Sequence, residues 1–203
     1  MKTLTVTIDT LSNLYIGGMP KAFEIGGIDM QTVTQGGQPY IPASSFKGGL
    51  RDICKDYPNK EIEEIYKDYN IPPQIKCETA KHLFIFGIQG VNRSPKILLT
   101  DFSLITDTKD YFSIDSKNSI EEKSGTLISN PRTYQVARSG LSFRGELILN
   151  FDSLSKNEEE IERIETIVKG YIQEMCAKFS KGVYRIGNSK SRGYGHITVK
   201  VSE

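Results

Sequence analysis

The residues best suited to chemistry lie near the C-terminus, in RIGNSKSRGYGHITV, residues 185–199. Gly187, Gly193 and Gly195 stand there among Arg185, Lys190 and Arg192. Glycine permits positive φ and lets backbone N–H groups approach a ligand closely. Basic side chains between such glycines point to a phosphate chain as that ligand, while the same spacing also suits a polar hairpin before a terminal strand. A second basic group sits in PYIPASSFKGGLRD. Ser44 or Ser45 makes a good helix N-cap, and Lys47 and Arg51, four residues apart, then share a helical face. Asp29 follows Gly26 and Gly27 in IGGID. By residue type alone it is a loop aspartate capping a turn.

Other chemistries find less support. Cys54, Cys77 and Cys176 are odd in number and widely separated, which argues against a disulfide framework. Cys77 and His82 offer two zinc ligands, but no second close pair completes a site. His82 and His196, the only histidines, carry no local catalytic signature. Walker and dinucleotide-binding fingerprints are absent. The formal net charge of +1 hides an uneven distribution. Lys178, Lys181, Arg185, Lys190, Arg192 and Lys200 follow Glu174 with no acid before Glu203, and Lys123, Arg132, Arg138 and Arg144 fall in an acid-free stretch between Glu122 and Glu146. Acids collect in 52–68 and 152–165. That pattern predicts a local footprint for a polyanion if the fold joins the basic segments.

These groups need elements to position them. Residues 2–8 place Leu4, Val6 and Ile8 on one face of a strand. Three Gly-Gly pairs then punctuate a stretch that is a long loop or a set of short hairpins. The helix after Pro42 has an apolar stripe of Phe46, Leu50 and Ile53, and a charged helix is expected over 60–69. IPPQIKCETA reads as a loop, LFIFGIQG as an apolar segment and KILLTDFSLI as a strand. The polar, hydrophobe-poor stretch 107–132 is an ordinary long surface loop or a projecting, mobile hairpin, and 143–151 alternates as a strand. Residues 155–179 form the clearest helix, with Ser155 and Glu158 as a capping box and Ile161, Ile164, Val168, Tyr171, Ile172 and Met175 as its buried stripe. A strand over 194–202 closes the chain, with Tyr194 packed in the core.

Strand, helix, strand, then strand, helix, strand is the βαββαβ order of a ferredoxin-like or RNA-recognition-type α+β sandwich. At 203 residues with 37% hydrophobic and 25% charged content, one soluble domain with insertions near 55–95 and 107–132 is expected over residues 1–203. No apolar run approaches the ~20 residues of a bilayer span. MKTLTVTIDT lacks the apolar core of a signal peptide. A cytoplasmic protein with no membrane partner is the expectation.

Several segments together resemble one family. PYIPASSFKGGLRD is similar to the helix-initiating motif of the RAMP (repeat-associated mysterious protein) superfamily of CRISPR systems, and GNSKSRGYGHITV to its C-terminal glycine-rich loop. IGGMPKAFEIGGIDMQTV resembles the loop carrying the acid of the backbone subunit of type III-A and III-D effector complexes. NPRTYQVARSGLSFRGELIL resembles the arginine-containing segment after that subunit's thumb hairpin. Departures are Pro42–Ala43 in place of a proline-glycine pair, Met30–Gln31 where a proline often follows the acid, and Tyr15 where many relatives carry a histidine. Tyr15 receives no catalytic role.

The resemblance implies a βαββαβ palm with a helical insertion and a thumb at 107–132. It implies a subunit repeated along a guide RNA, cleaving complementary target RNA at regular intervals beside other subunits of a type III complex and further copies of itself. Asp29 becomes the catalytic acid, binding a divalent cation, magnesium, or orienting the attacking 2′-hydroxyl. Ser44 and Ser45 with the first-turn N–H groups, Lys47, Arg51, Arg132, Arg138, Gly187, Lys190, Arg192 and Gly193 become RNA contacts, directed to phosphate and sugar rather than to base edges. Two other functions remain compatible: a catalytically silent backbone subunit, and a stand-alone guide-RNA processing nuclease.

Overall fold

Alternation builds the sheet. Leu4, Val6, Ile8 and Thr10 are the buried residues of β1 (Lys2–Thr10), and Phe143, Gly145, Leu147 and Leu149 those of β9 (Ser142–Asn150). The computed structural model describes residues 2–18, 28–67, 69, 80–123 and 126–203. Gly26, Gly27 and Cys77, with most of the loop expected over 71–80, lie outside the described residues.

Between those strands come β2 (Met30–Gln31), β3 (Thr34–Gln35), β4 (Gln38–Ile41), α1 (Ala43–Asp56), α2 (Lys60–Ile65), β5 (Lys96–Leu99), β6 (Phe102–Leu104), β7 (Phe112–Lys123) and β8 (Thr126–Ala137). After them come α3 (Glu158–Ala177) and β10 (Ile197–Ser202); short 3₁₀ helices lie at Lys81–Phe86, before β5, and at Lys178–Lys181 and Lys190–Arg192, between α3 and β10. The main sheet runs β10-β1-β9-β6-β4-β3, with β5 also paired to β9. β1 is antiparallel to β10 and β9, and β9 to β5 and β6. Last, first, third, second is the strand order that a βαββαβ chain adopts when both helices cover one face, so the expected palm is present. β2, β8 and β7 form a separate sheet. Its β7–β8 hairpin is inserted between the second and third framework strands, and β2 joins it from the segment between β1 and α1.

α1 and α3 cover one face of the sheet. Phe46, Leu50 and Ile53 of α1 and Val168, Ile172 and Met175 of α3 are buried with Phe102, Phe143 and Ile197. Phe46 meets Phe102 edge-on at 5.0 Å and stacks on Phe179 at 5.7 Å between ring centroids. Gly145 makes room for this: a Cβ there would lie 2.7 Å from the Phe102 ring. Among the described residues, no helix is long and apolar enough to cross a membrane.

Several local expectations need correction. α1 opens at Ala43 with Pro42 as N-cap, and neither Ser44 nor Ser45 caps it. The Asp101 carboxylate, from the break between β5 and β6, instead accepts the Ala43 N–H at 2.8 Å. α3 is capped by Asn157, whose side chain accepts from the Glu159 N–H. Ser155 instead bonds the Asn157 N–H and the Glu160 carboxylate, so the capping box does not form. KILLTDFSLI is two strands, broken at Thr100 and Asp101, where the exposed Thr100 hydroxyl accepts the Glu146 N–H at 2.8 Å. The helix expected over 60–69 ends at Ile65, where Tyr66 is pulled into the core and donates to the Pro95 carbonyl at 2.9 Å. The hairpin expected over 107–132 extends to Ala137, because Val136 and Ala137 are buried at its base.

Candidate nucleic-acid interface

The C-terminal loop is shaped by chain packing before any ligand. Gly187 (φ 76°) lies so close to β1's exit that a Cβ would sit 2.4 Å from the Tyr15 carbonyl oxygen, and one on Gly195 (φ 75°) would sit 1.9 Å from that of Ile186. These glycines permit the loop to touch its own protein. Gly193 is different: the nearest atom to a Cβ is Arg185 Nη1 at 4.0 Å. Arg185 is folded inward, Nε donating to the Gly182 carbonyl at 2.9 Å and Nη1 to that of Lys190 at 3.4 Å. Lys190 and Arg192 remain exposed. Tyr194 is buried against Tyr15, Val136, Met30 and Tyr134, in the packing role expected for it.

α1 borders this loop, since Gly49 would carry its Cβ 3.0 Å from Ile186. Farther round α1, Lys47 and Arg51 line a cavity of about 430 Å³ together with Lys96, Phe84, Phe86 and the turn Gly87–Asn92. No acid lines it. Lys96 Nζ donates to the Asn92 carbonyl at 2.9 Å. Burial, and then the charges of Lys96 and Arg51, hold the Lys47 ammonium below the ordinary lysine range. The Arg51 Nε is buried and meets no hydrogen-bond partner among the described residues. Three cations facing one cavity without a counter-charge favour an incoming anion. Lys96 was not singled out from the sequence; it opens β5 after a Pro95 with no basic neighbour nearer than Arg93. Ser44 is exposed and Ser45 half-buried, beside a helix N-terminus that Asp101 already occupies.

Asp29 sits where β2 joins the root of the hairpin. β2 pairs in parallel with β8, Met30 opposite Tyr134. Oδ2 of Asp29 accepts from the Thr133 N–H at 2.7 Å and from the Thr133 hydroxyl at 3.1 Å. Those bonds, backbone first, hold the carboxyl below the usual carboxylate range, with the Arg132 charge adding to them against a small desolvation cost. The side chain is exposed. Arg132 thus lies beside the acid. Arg138 does not join it: its Nε donates to the Phe112 carbonyl at 2.9 Å and its Nη1 pairs with Asp110, stapling the hairpin base. Thr133, the partner that fixes Asp29, had no signal in a polar strand.

The remaining titratable candidates are structural. His82 donates from Nε2 to the Cys54 carbonyl at 3.0 Å and faces Glu63, and His196 donates to the Ser180 carbonyl at 3.2 Å. Each ring is satisfied locally. Burial raises the Cys176 thiol and pushes that of Cys54 up to about 11, so neither is poised as a nucleophile.

The RAMP superfamily profile matches residues 7–198. The chain is 26% identical over 169 residues to the CRISPR system Cms endoribonuclease Csm3 of Enterococcus italicus, covering 79% of this chain and 76% of that one. It is 25% identical over 189 residues to the Csm3 endoribonuclease of Streptococcus thermophilus, covering 92% and 81%. Its fold matches a chain in the cryo-EM structure of the Type III-B Cmr-beta bound to cognate target RNA, with a TM-score of 0.57 at 18% identity. That match covers 99% of this chain and 60% of the other.

Proposed function

The chain belongs to the RAMP superfamily, and on that premise we propose that it is the repeated backbone subunit of a type III CRISPR ribonucleoprotein. In this reading one palm domain, with insertions near 55–95 and 107–132, holds guide RNA and cleaves complementary target RNA at regular intervals. The observation that carries it is the ionised, exposed Asp29 at the root of the hairpin, anchored to β8 by Thr133.

The guide is held by its backbone. The cavity of Lys47, Arg51 and Lys96 takes one phosphate, and Lys190, Arg192 and the open backbone at Gly193 line the next stretch. Arg132 supports the target near Asp29. Such contacts carry no base information, so guide–target pairing supplies the specificity. A site contact at Arg138 would require the ion pair with Asp110 to open.

Cleavage forms a bond from a target 2′-oxygen to the adjacent phosphorus and breaks the bond to the 5′-oxygen. The 2′-hydroxyl loses its proton and the leaving oxygen gains one. A carboxylate held below its ordinary range is a weak proton acceptor. Asp29 therefore serves by fixing the hydroxyl or by binding a cation, with Thr133 preventing its rotation. Among the described residues no three His, Cys, Asp or Glu side chains gather into a metal site. One ionised carboxylate suits magnesium, which binds through one or two carboxylates plus substrate phosphates and retains waters. When bound, the cation neutralises charge developing on the phosphate oxygens.

The test is a complex assembled with guide RNA and Asp29→Asn subunits. Target binding is expected to stay within about threefold of wild type while cleavage is lost, the signature of an interaction used in the transition state. Full cleavage by that complex would remove Asp29 from the chemistry and leave a catalytically silent backbone subunit.

A further inference from the structure

We propose that Lys117 is a positioning residue, a charged latch that fixes the hairpin root against the C-terminal loop and thereby sets Asp29 relative to the phosphates that loop holds. The inference rests on the reading of Asp29 and the loop given above.

Lys117 lies in β7 opposite Arg132 of β8. Its ammonium does not point to solvent. It sits 3.8 Å from the ring centroid of Tyr194 and 4.3 Å from that of Tyr134, and donates to the Ser189 hydroxyl at 3.2 Å. Cation–π contact of this kind gains strength as water is excluded, and Tyr194 is buried. Ser189 is the only non-glycine among the described residues with positive φ, at 59°. Such a backbone persists where its surroundings over-determine it, and the Lys117 bond is one such constraint. Two residues before Lys117, on the same strand face, Asp115 is also engaged: it accepts from the Tyr194 hydroxyl and, at 3.2 Å, from the Asn13 amide.

The chain of contacts has two ends. On one side, Ser189 introduces the turn Lys190–Arg192 and Gly193, the exposed part of the loop. On the other, Tyr134 follows Thr133, whose N–H and hydroxyl hold Asp29. Lys117 bridges the two through one ring and one hydroxyl. Without its charge, the tyrosines retain apolar contact and Tyr194 keeps its bond to Asp115, but Ser189 loses its tether to β7, the strand paired with the one that anchors Asp29. A displacement of about 1 Å at a reacting group can cost up to about a hundredfold in rate.

The test uses Lys117→Met, which keeps the apolar stem, and Lys117→Arg, which keeps the charge and stacks on aromatic rings. In the isolated chain, amide exchange at residues 189–193 and at Thr133 is expected to quicken with Met and to stay near wild type with Arg. In the assembled complex, Met is expected to slow single-turnover target cleavage between about ten- and a hundredfold, with guide affinity changed less than about threefold and Arg restoring most of the rate. Lys117→Met combined with Asp29→Asn is expected to add no further defect, because the first acts through the second. Unchanged exchange overturns the latch whatever the activity. Altered exchange with cleavage unchanged in Lys117→Met overturns the coupling, and a matching loss of guide affinity would make Lys117 an RNA contact instead. Cleavage unaffected by Asp29→Asn alone instead defeats the functional reading, while exchange still reports on the latch.

Discussion

At the scale of single residues, the account rests on how Thr133 treats Asp29. Two donors on one carboxylate oxygen keep the acid ionised to lower pH than an ordinary aspartate. Thr133→Val removes the hydroxyl bond and keeps the backbone bond, so the carboxyl rises toward its ordinary value. In the proposed reading the ionised form is the working form, and the acidic limb of the pH–rate profile is therefore expected to move to higher pH. Single-turnover cleavage across the acidic range measures it, and an unmoved limb would show that Asp29 does not control that limb. The glycines separate in the same way. Gly195→Ala drives a Cβ into the Ile186 carbonyl and is expected to cost about 3 kcal/mol or more. Gly193→Ala meets only the end of Arg185, at 4.0 Å, at φ 95° and costs only its left-handed backbone, about 1–2 kcal/mol. Thermal denaturation of the two variants decides. The glycine spacing was legible in the sequence as a loop, but which glycines serve packing was not, because the atoms they avoid, at Tyr15 and Ile186, become neighbours only in the fold.

At the scale of elements, α1 shows what local pattern reveals and what it hides. The stripe Phe46, Leu50 and Ile53 and the opposing pair Lys47 and Arg51 were readable from helical spacing alone, as were the alternation of β1 and β9 and the stripe of α3. The cap was not. Asp101 reaches the Ala43 N–H from 58 residues away, and no window on the sequence joins them. Lys96 was hidden for the same reason, and the hairpin was placed too short because its base becomes apolar only where it packs. The consequence for binding is specific. With an acid on the helix N-terminus, the anion site proposed for α1 lies on its side, at the cavity lined by Lys47, Arg51 and Lys96. Lys96→Ala is expected to weaken guide binding equally for all spacer sequences and to lower the salt slope by about one phosphate's worth. Ser44→Ala and Ser45→Ala are expected to leave both nearly unchanged. Filter binding over a salt series measures all three, and a larger loss from the serines than from Lys96 would return the site to the helix end.

At the scale of the whole molecule, charge is divided. Glu61 and Glu64 of α2 and Glu160 of α3 meet, with Arg163 among them, around a cavity of about 550 Å³ floored by Ile65, Leu154, Ile164 and Ile167, beside the first turns of α3, whereas the basic C-terminal segment follows its last. Two different complementary patches suit head-to-tail repetition rather than a closed pair. Replacing Glu61, Glu64 and Glu160 together by lysine is expected to reduce the number of copies loaded on a long guide, read by native mass spectrometry, while one copy binds a short guide as before. Repetition of one subunit along a guide also means that the acid recurs at a fixed interval. The central claim is therefore tested most directly by mapping cuts on one target RNA in complexes built from wild-type and Asp29→Ala subunits. The account predicts evenly spaced cuts, one per subunit, that vanish together with Asp29 or with chelation while the target stays bound. Cuts persisting at the same positions and rate in the Asp29→Ala complex would contradict it.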